Sequence, residues 1–200
     1  MKLRKNFIKI FLYLIFLFYP INVATSIEPT EFVQLTVDKA SEALDNKYSK
    51  EEKVEKLKTI AKDSVDIKGI GYYSLGSYRK NLSDDKKKEY LIIFEKYFLK
   101  SFSSRLAEYS DPKIRVDSQK KLNENYTMVS SILLATDDKP EVKIDWRIVT
   151  KNKDNPLIID VVIEGVSLAK VQKEEFNAII QNNNGNIDSL FESLNNFINK

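Results

Sequence analysis

The sequence has no cysteine and no histidine, and its 200 residues include only five glycines, five prolines and one tryptophan. Without cysteine there are no disulfides and no thiolate nucleophile, so any exported form must be held together by its core. Without histidine there is no Ser-His-Asp triad, no Cys-His pair and no His-containing metal site. Most hydrolase mechanisms are excluded with these two residues. No glycine-rich phosphate loop and no calcium loop occurs. Ser-x-x-Lys occurs at Ser167–Lys170, but also at Ser77–Lys80, Ser83–Lys86 and Ser118–Lys121, and never with the Ser-Asp-Asn and Lys-Thr-Gly companions of a serine acyl-enzyme. In so lysine-rich a chain that spacing arises by chance. Asp160 and Glu164 share a strand face, but four residues of strand hold them about 13 Å apart, too far for a glycosidase carboxylate pair. They read as solvated or turn-bracing acids. The chain is therefore expected not to be an enzyme and to need no cofactor and no metal.

The one long hydrophobic run lies at the N-terminus. Lys2, Arg4, Lys5 and Lys9 precede an uncharged stretch from Ile10 to Tyr19, followed by Pro20 and the small-residue sequence Ala24-Thr25-Ser26. This is the pattern of a cleaved secretory signal peptide over residues 1–26, with cleavage after Ala24 or Ser26; the run is too short for a membrane span. With no cysteine after it, lipoprotein anchoring is not expected. Removing it leaves 174 residues, 27–200, as one domain with 28 basic against 29 acidic residues and a net charge of −1. A chain near neutrality has no electrostatic footprint for nucleic acid, and Lys86-Lys87-Lys88 reads as a solvated helix turn.

The remaining chain is organised around Ser83–Tyr109. Tyr90, Phe94, Tyr97, Phe98, Phe102, Leu106 and Tyr109 recur at helical spacing, Ser83 can cap the first turn, and Asp84 and Asp85 suit the positive end of the helix dipole. The aromatic stripe must be covered, either by the domain's own closed core or by the wall of a cavity for an apolar ligand. Upstream, Val33, Val37, Ala40 and Leu44 mark a helix after Pro29 that ends near Asn46. Ser49-Lys50-Glu51-Glu52 is a capping box opening a second helix through Val54, Leu57 and Ile60. From Asp66 to Leu82, Gly69, Gly71 and Gly76 interrupt the rhythm and predict short, closely packed helical turns.

Beyond Pro112 the period changes from 3.6 to 2. Strands are predicted at Ile114–Asp117, Tyr126–Ala135, Val142–Ile148 and Leu157–Glu164, the last with Leu157, Ile159, Val161 and Ile163 on one face. The turns Asn123-Glu124-Asn125, Asp137-Asp138-Lys139-Pro140 and Lys151–Pro156 are short and polar, which predicts an antiparallel meander with one wetted face. Ser167 caps a helix carrying Val171, Phe176, Ile179 and Ile180. Asn182-Asn183-Asn184-Gly185 ends it, and Asn186 caps a last helix with Ile187, Leu190, Phe191, Leu194 and Ile198 on one stripe. The expected fold is α+β, with a four-stranded antiparallel meander packed against a layer of helices that encloses an apolar cavity.

Three motifs in order, Leu75-Gly76-Ser77-Tyr78-Arg79, Ile144-Asp145-Trp146-Arg147 and Asp160-Val161-Val162-Ile163-Glu164-Gly165-Val166-Ser167, resemble the periplasmic phospholipid-binding MlaC family, also called the toluene-tolerance family. The resemblance spans nearly the whole chain after the leader. One departure is at the fourth strand, where that family usually begins with Trp and has an aromatic before the Asp; here Pro156 and Ile159 stand instead. The resemblance implies a periplasmic carrier, expected to be a monomer, that moves phospholipid between outer and inner membranes and maintains outer-membrane lipid asymmetry. It would exchange cargo with an inner-membrane ABC transporter, through that transporter's periplasmic substrate-binding subunit, and with an outer-membrane lipoprotein–porin complex. The physics agrees with that expectation: two acyl chains of about 16 carbons, at about 0.8 kcal/mol per methylene, cost about 25 kcal/mol in water, so the tails must travel covered. Apolar periodicity names ten candidate lining residues: Phe94, Phe98 and Phe102 from the long helix; Val129, Ile144, Trp146 and Val161 from the sheet; Leu75, Tyr78 and Phe176 from the flanking helices. The competing expectation is a secreted scaffold or interaction domain with a closed core and no ligand.

Overall fold

Helix α1, Pro29–Ala43, starts on a proline whose fixed φ suits the first helical position, and it buries Val33, Val37 and Ala43. The computed structural model describes residues 27–200 apart from 110, 137, 138 and 153. The leader read over residues 1–26 therefore lies outside the described residues, as do Asp137 and Asp138 of the second predicted turn and Lys153 of the third. The capping box forms as expected: the Glu52 amide donates to Ser49 Oγ (3.2 Å), the Ser49 amide to Glu52 Oε2 (2.8 Å), and α2 runs Lys50–Ser64. The glycine-interrupted segment folds as α3, Ile67–Ser74, followed by a 3₁₀ turn, Gly76–Lys80. Gly71 is required there, because a Cβ would lie 2.8 Å from Phe94 Cδ1.

The long helix α4, Asp84–Leu106, is capped by Ser83 Oγ, which accepts from the Lys86 amide at 3.3 Å. It ends three residues before Tyr109, which is exposed. Helix α5, Leu168–Asn182, is capped by Ser167, and α6 is Asp188–Asn199. The cap position of α6 falls on Ile187, one residue after the Asn186 expected there, and Asn186 instead closes the turn ahead of the helix, its Oδ1 accepting from the Asp188 amide at 3.0 Å.

The sheet is an antiparallel meander in the order β1-β2-β3-β4-β5, comprising Ile114–Asn123, Tyr126–Leu133, Val142–Val149, Leu157–Ile163 and Val166–Ser167. The fifth strand is an addition to the four expected. Glu164 (φ 48°) and Gly165 (φ 82°) both take positive φ, the requirement of a tight hairpin turn, and they fold Val166–Ser167 back onto Ile163 and Val162 before α5 begins. The first strand is also longer than its alternation suggested, because it pairs with β2 through Asn123 although its outer residues are exposed. The face predicted for β4 is corrected too. Arg147 pairs with Asp160 and Ile148 with Ile158, so Ile159 is left without a partner, and Ile158 instead of Ile159 enters the core.

Two apolar cores of different make-up result. The helical core joins α3, α4, α5 and α6 through Ile70, Leu75, Tyr90, Ile93, Phe94, Phe176, Ile180, Leu190, Phe191 and Leu194. The sheet core joins Val33 and Val37 of α1 to Val129, Ile148 and Ile158. A smaller cluster of Ala43, Leu44, Leu57 and Ala107 ties α1, α2 and the end of α4. The chain crosses between the two larger cores at Val65, which pairs with Ile158 as an isolated parallel bridge, while the Asp66 amide donates to Ile158 O at 2.9 Å.

Candidate functional site

The aromatic stripe of α4 divides along its length. Tyr90 and Phe94 are sealed in the helical core, at 0% and 1% exposure, and the Tyr90 hydroxyl donates to Gly71 O at 3.1 Å. Burial pushes the Tyr90 hydroxyl well above the ordinary phenol range and moves Tyr97 the same way. Phe94 meets Phe176 edge-on, with ring centroids 6.1 Å apart and an interplanar angle of 86°. One turn on, Phe98 lies 6.0 Å from Phe94 and stacks on Phe102 at 5.7 Å and 7°, and both of these rings are only half-buried.

The inner face of the sheet shows the same division. Register places Val129, Trp146 and Val161 in one row and Ser131, Ile144 and Ile163 in the next. Val129 is sealed at 0% exposure beneath α1, whereas Trp146 and Val161 are half-buried. Trp146 Nε1 donates to Ser131 Oγ at 2.8 Å, and that hydroxyl donates to Ile144 O at 3.2 Å. The only polar atom of the indole is thus satisfied within the sheet, and the rest of the ring presents apolar surface. Periodicity did not reveal this bond; Ser131 at an inward position among apolar neighbours was its only sign.

Of the ten candidate residues, Leu75, Phe94, Val129, Ile144 and Phe176 are sealed, and Tyr78, Phe98, Phe102, Trp146 and Val161 keep accessible surface. The structure does not gather them into one cluster. Leu75, Tyr78, Phe94, Phe98 and Phe176 belong to the helical core, and Val129, Trp146 and Val161 to the sheet core. Among the described residues, Val65 alone packs against both. The principal neighbours of α4 are α2, α3 and α6 and not the sheet, whose helical cover comes from α1, α3 and α5. Two open clefts, of about 450 and 490 Å³, lie elsewhere and are lined by none of the ten.

Residues 34–196 match the family described as MlaC protein. The chain belongs to the MlaC family. Its fold is similar to that of the phospholipid-binding protein from Ralstonia solanacearum, solved in complex with a phospholipid, with a TM-score of 0.71 at 14% identity over 86% of this chain and 97% of that one. The motifs that suggested the family from sequence have separate structural duties in this MlaC-family chain. In the first, Leu75 is sealed and Tyr78 packs on the helical core, while Ser77 and Arg79 face solvent. In the third, Asp160 is a brace: it accepts from Ser167 Oγ (2.6 Å), the Ala169 amide (3.0 Å) and Arg147 Nη1 (3.1 Å), tying β3, β4 and the start of α5 together. Glu164 accepts from the Lys143 amide across the sheet. Both carboxylates are occupied by this bracing, the second of the two roles expected for them. The family departure at Ile159 coincides with the residue that the β3–β4 register skips.

Chemically, the inner surfaces are apolar with their polar atoms satisfied. No buried side-chain nitrogen or oxygen lacks a partner, and no His, Cys, Asp and Glu grouping suited to a metal occurs, both among the described residues.

Proposed function

We propose that this MlaC-family chain is a periplasmic phospholipid carrier, with the acyl tails received where the helical core and the sheet core face one another. The observation that carries the reading is the family match over residues 34–196, joined to the similarity with a protein solved holding a phospholipid. The half-buried surface of Phe98, Phe102, Trp146 and Val161 supports it, because these side chains have apolar area that neither core covers. A tail laid against them replaces water on both partners and needs no catalytic group. Transfer from one bilayer to an equally apolar site is then close to neutral in free energy.

On this reading the protein is exported by a cleaved leader and shuttles lipid between outer and inner membranes, which maintains outer-membrane lipid asymmetry. Its exchange partners are the periplasmic subunit of an inner-membrane ABC transporter and an outer-membrane lipoprotein–porin complex. Extraction of the folded, exported protein with organic solvent followed by mass spectrometry tests the central claim. Near-stoichiometric phospholipid is the expected result, and a lipid-free extract from a well-folded sample would overturn it in favour of a scaffold with a closed core. Trp146 gives a second test because it is the sole tryptophan. Phospholipid brominated on its acyl chains should quench the fluorescence, whereas lipid brominated only at the headgroup should not.

A further inference from the structure

Between Ile67 and Leu82 the chain has three cations, Lys68, Arg79 and Lys80, and no carboxylate. All three are exposed. A fourth cation comes to the same segment from α5: the Lys173 side chain crosses Gly76, with Cε 3.1 Å from where a Cβ would sit, and its Nζ lies over the Tyr73 ring at 5.1 Å. Gly76 has φ +57°, the left-handed conformation that turns the chain from α3 into the 3₁₀ helix and that favours glycine. Tyr73 is 44% exposed. The carboxylates next to these residues in sequence have other partners: Asp66 accepts from the Gly69 backbone amide, Glu174 pairs with Lys170, and Glu175 accepts from Gln172 Nε2.

The contrast with the other lysine-rich turn is direct. Lys86, Lys87 and Lys88 each hold an acidic partner, on Glu89 and Asp188, Asp84 and Asp85 respectively. None of Lys68, Arg79, Lys80 and Lys173 forms an ion pair among the described residues. In a chain whose residues 27–200 carry a net charge of −1, this segment and Lys173 concentrate unpaired positive charge beside an exposed phenol.

We propose that the surface formed by Tyr73, Arg79, Lys80 and Lys173 docks on the phosphate-bearing face of an anionic bilayer. Lysine and arginine grip lipid phosphates, arginine with a fork that matches two oxygens, and an exposed tyrosine ring settles at headgroup depth. The proposal stands apart from the tail-binding reading, since it concerns the outside of α3 and α5 and not their buried faces.

The test is co-sedimentation of the folded protein with vesicles of equal parts phosphatidylglycerol and phosphatidylcholine, beside pure phosphatidylcholine vesicles, at low and high salt. The protein should pellet with the anionic vesicles only, and release at high salt. Arg79→Gln with Lys80→Gln should weaken partitioning about 25-fold, at about fivefold per cation, while Lys87→Gln with Lys88→Gln changes it less than about twofold. The extractable lipid content of both double variants should match that of the parent, which separates this result from any failure of the tail site. No pelleting, equal loss in both double variants, or retention on polyglutamate beads without pelleting would overturn the proposal; the last would assign the surface to an acidic protein.

Discussion

The helical core and the sheet core are both apolar, but they close by different means. Four of the ten buried residues in the helical core are aromatic, and their rings touch in sequence from Phe191 through Tyr90 and Phe94 to Phe176. The five buried residues of the sheet core are all valine or isoleucine. Interlocked rings seal a space among four helices. Stiff β-branched chains pack flat against one helix and leave the edges of that contact, at Trp146 and Val161, partly uncovered. The lesson is that the same aromatic helix can serve as core at one end and as an open surface at the other. Truncations on the sealed part should therefore cost stability, and those on the open part should cost ligand.

The largest effect is expected for Phe94→Ala, about 3–5 kcal/mol by urea unfolding, because the ring is sealed and contacts Tyr90, Tyr97, Phe98 and Phe176. Phe98→Ala should cost less than half as much, and Phe98→Asp should leave a folded protein by circular dichroism that carries less lipid. Equal costs at the two positions would erase the distinction between closed and open stretches of α4. Next comes Gly71→Ala, expected to cost about 1–3 kcal/mol, since the new methyl would meet a ring that Tyr90 and Phe176 already hold in place.

A pH measurement sharpens the same contrast. Burial holds the Tyr90 phenol above its ordinary range in the folded state, so unfolding releases its proton once the pH passes about 10. The stabilisation is therefore complete below that value and is lost as the pH rises beyond it. Tyr90→Phe should flatten part of this alkaline loss and cost about 1 kcal/mol at neutral pH through the missing hydrogen bond. Gly71 O still accepts from the Leu75 amide, which keeps that cost small. The alkaline loss that remains belongs in part to Tyr97, which burial shifts in the same direction. An unchanged pH profile would mean that the helical core admits water.

Most of the fold was legible because local signals agreed with it. The Ser49, Ser83 and Ser167 caps, the change of period at Pro112 and the polar turns each fixed an element without reference to the rest of the chain. The unread features depend on pairing. Whether Ile158 or Ile159 faces inward is decided by a register slip against β3, and β5 exists only because two residues with positive φ return the chain to β4. The candidate site was half legible for the same reason. Periodicity finds apolar faces, but it does not say which part of a face another element will cover, and so sealed Phe94 and half-buried Phe98 look alike in sequence.

The smallest expected effect bears on the open side of the comparison. Ser131→Ala removes the acceptor of the Trp146 indole N–H and should cost about 1 kcal/mol. More informative is what the ring does afterwards. In the parent, the hydrogen bond to Ser131 fixes the indole plane against the sheet, so its free surface is presented in one orientation. Released from that bond, a half-buried ring can tilt toward water, and the emission of the sole tryptophan should shift to longer wavelength in the lipid-free protein. If a tail lies on Trp146, added phospholipid should reverse the shift, because covering the ring excludes the water that caused it. A red shift that lipid leaves untouched would place the tail away from this row of the sheet, and the Val129–Trp146–Val161 surface would then be incompletely covered core.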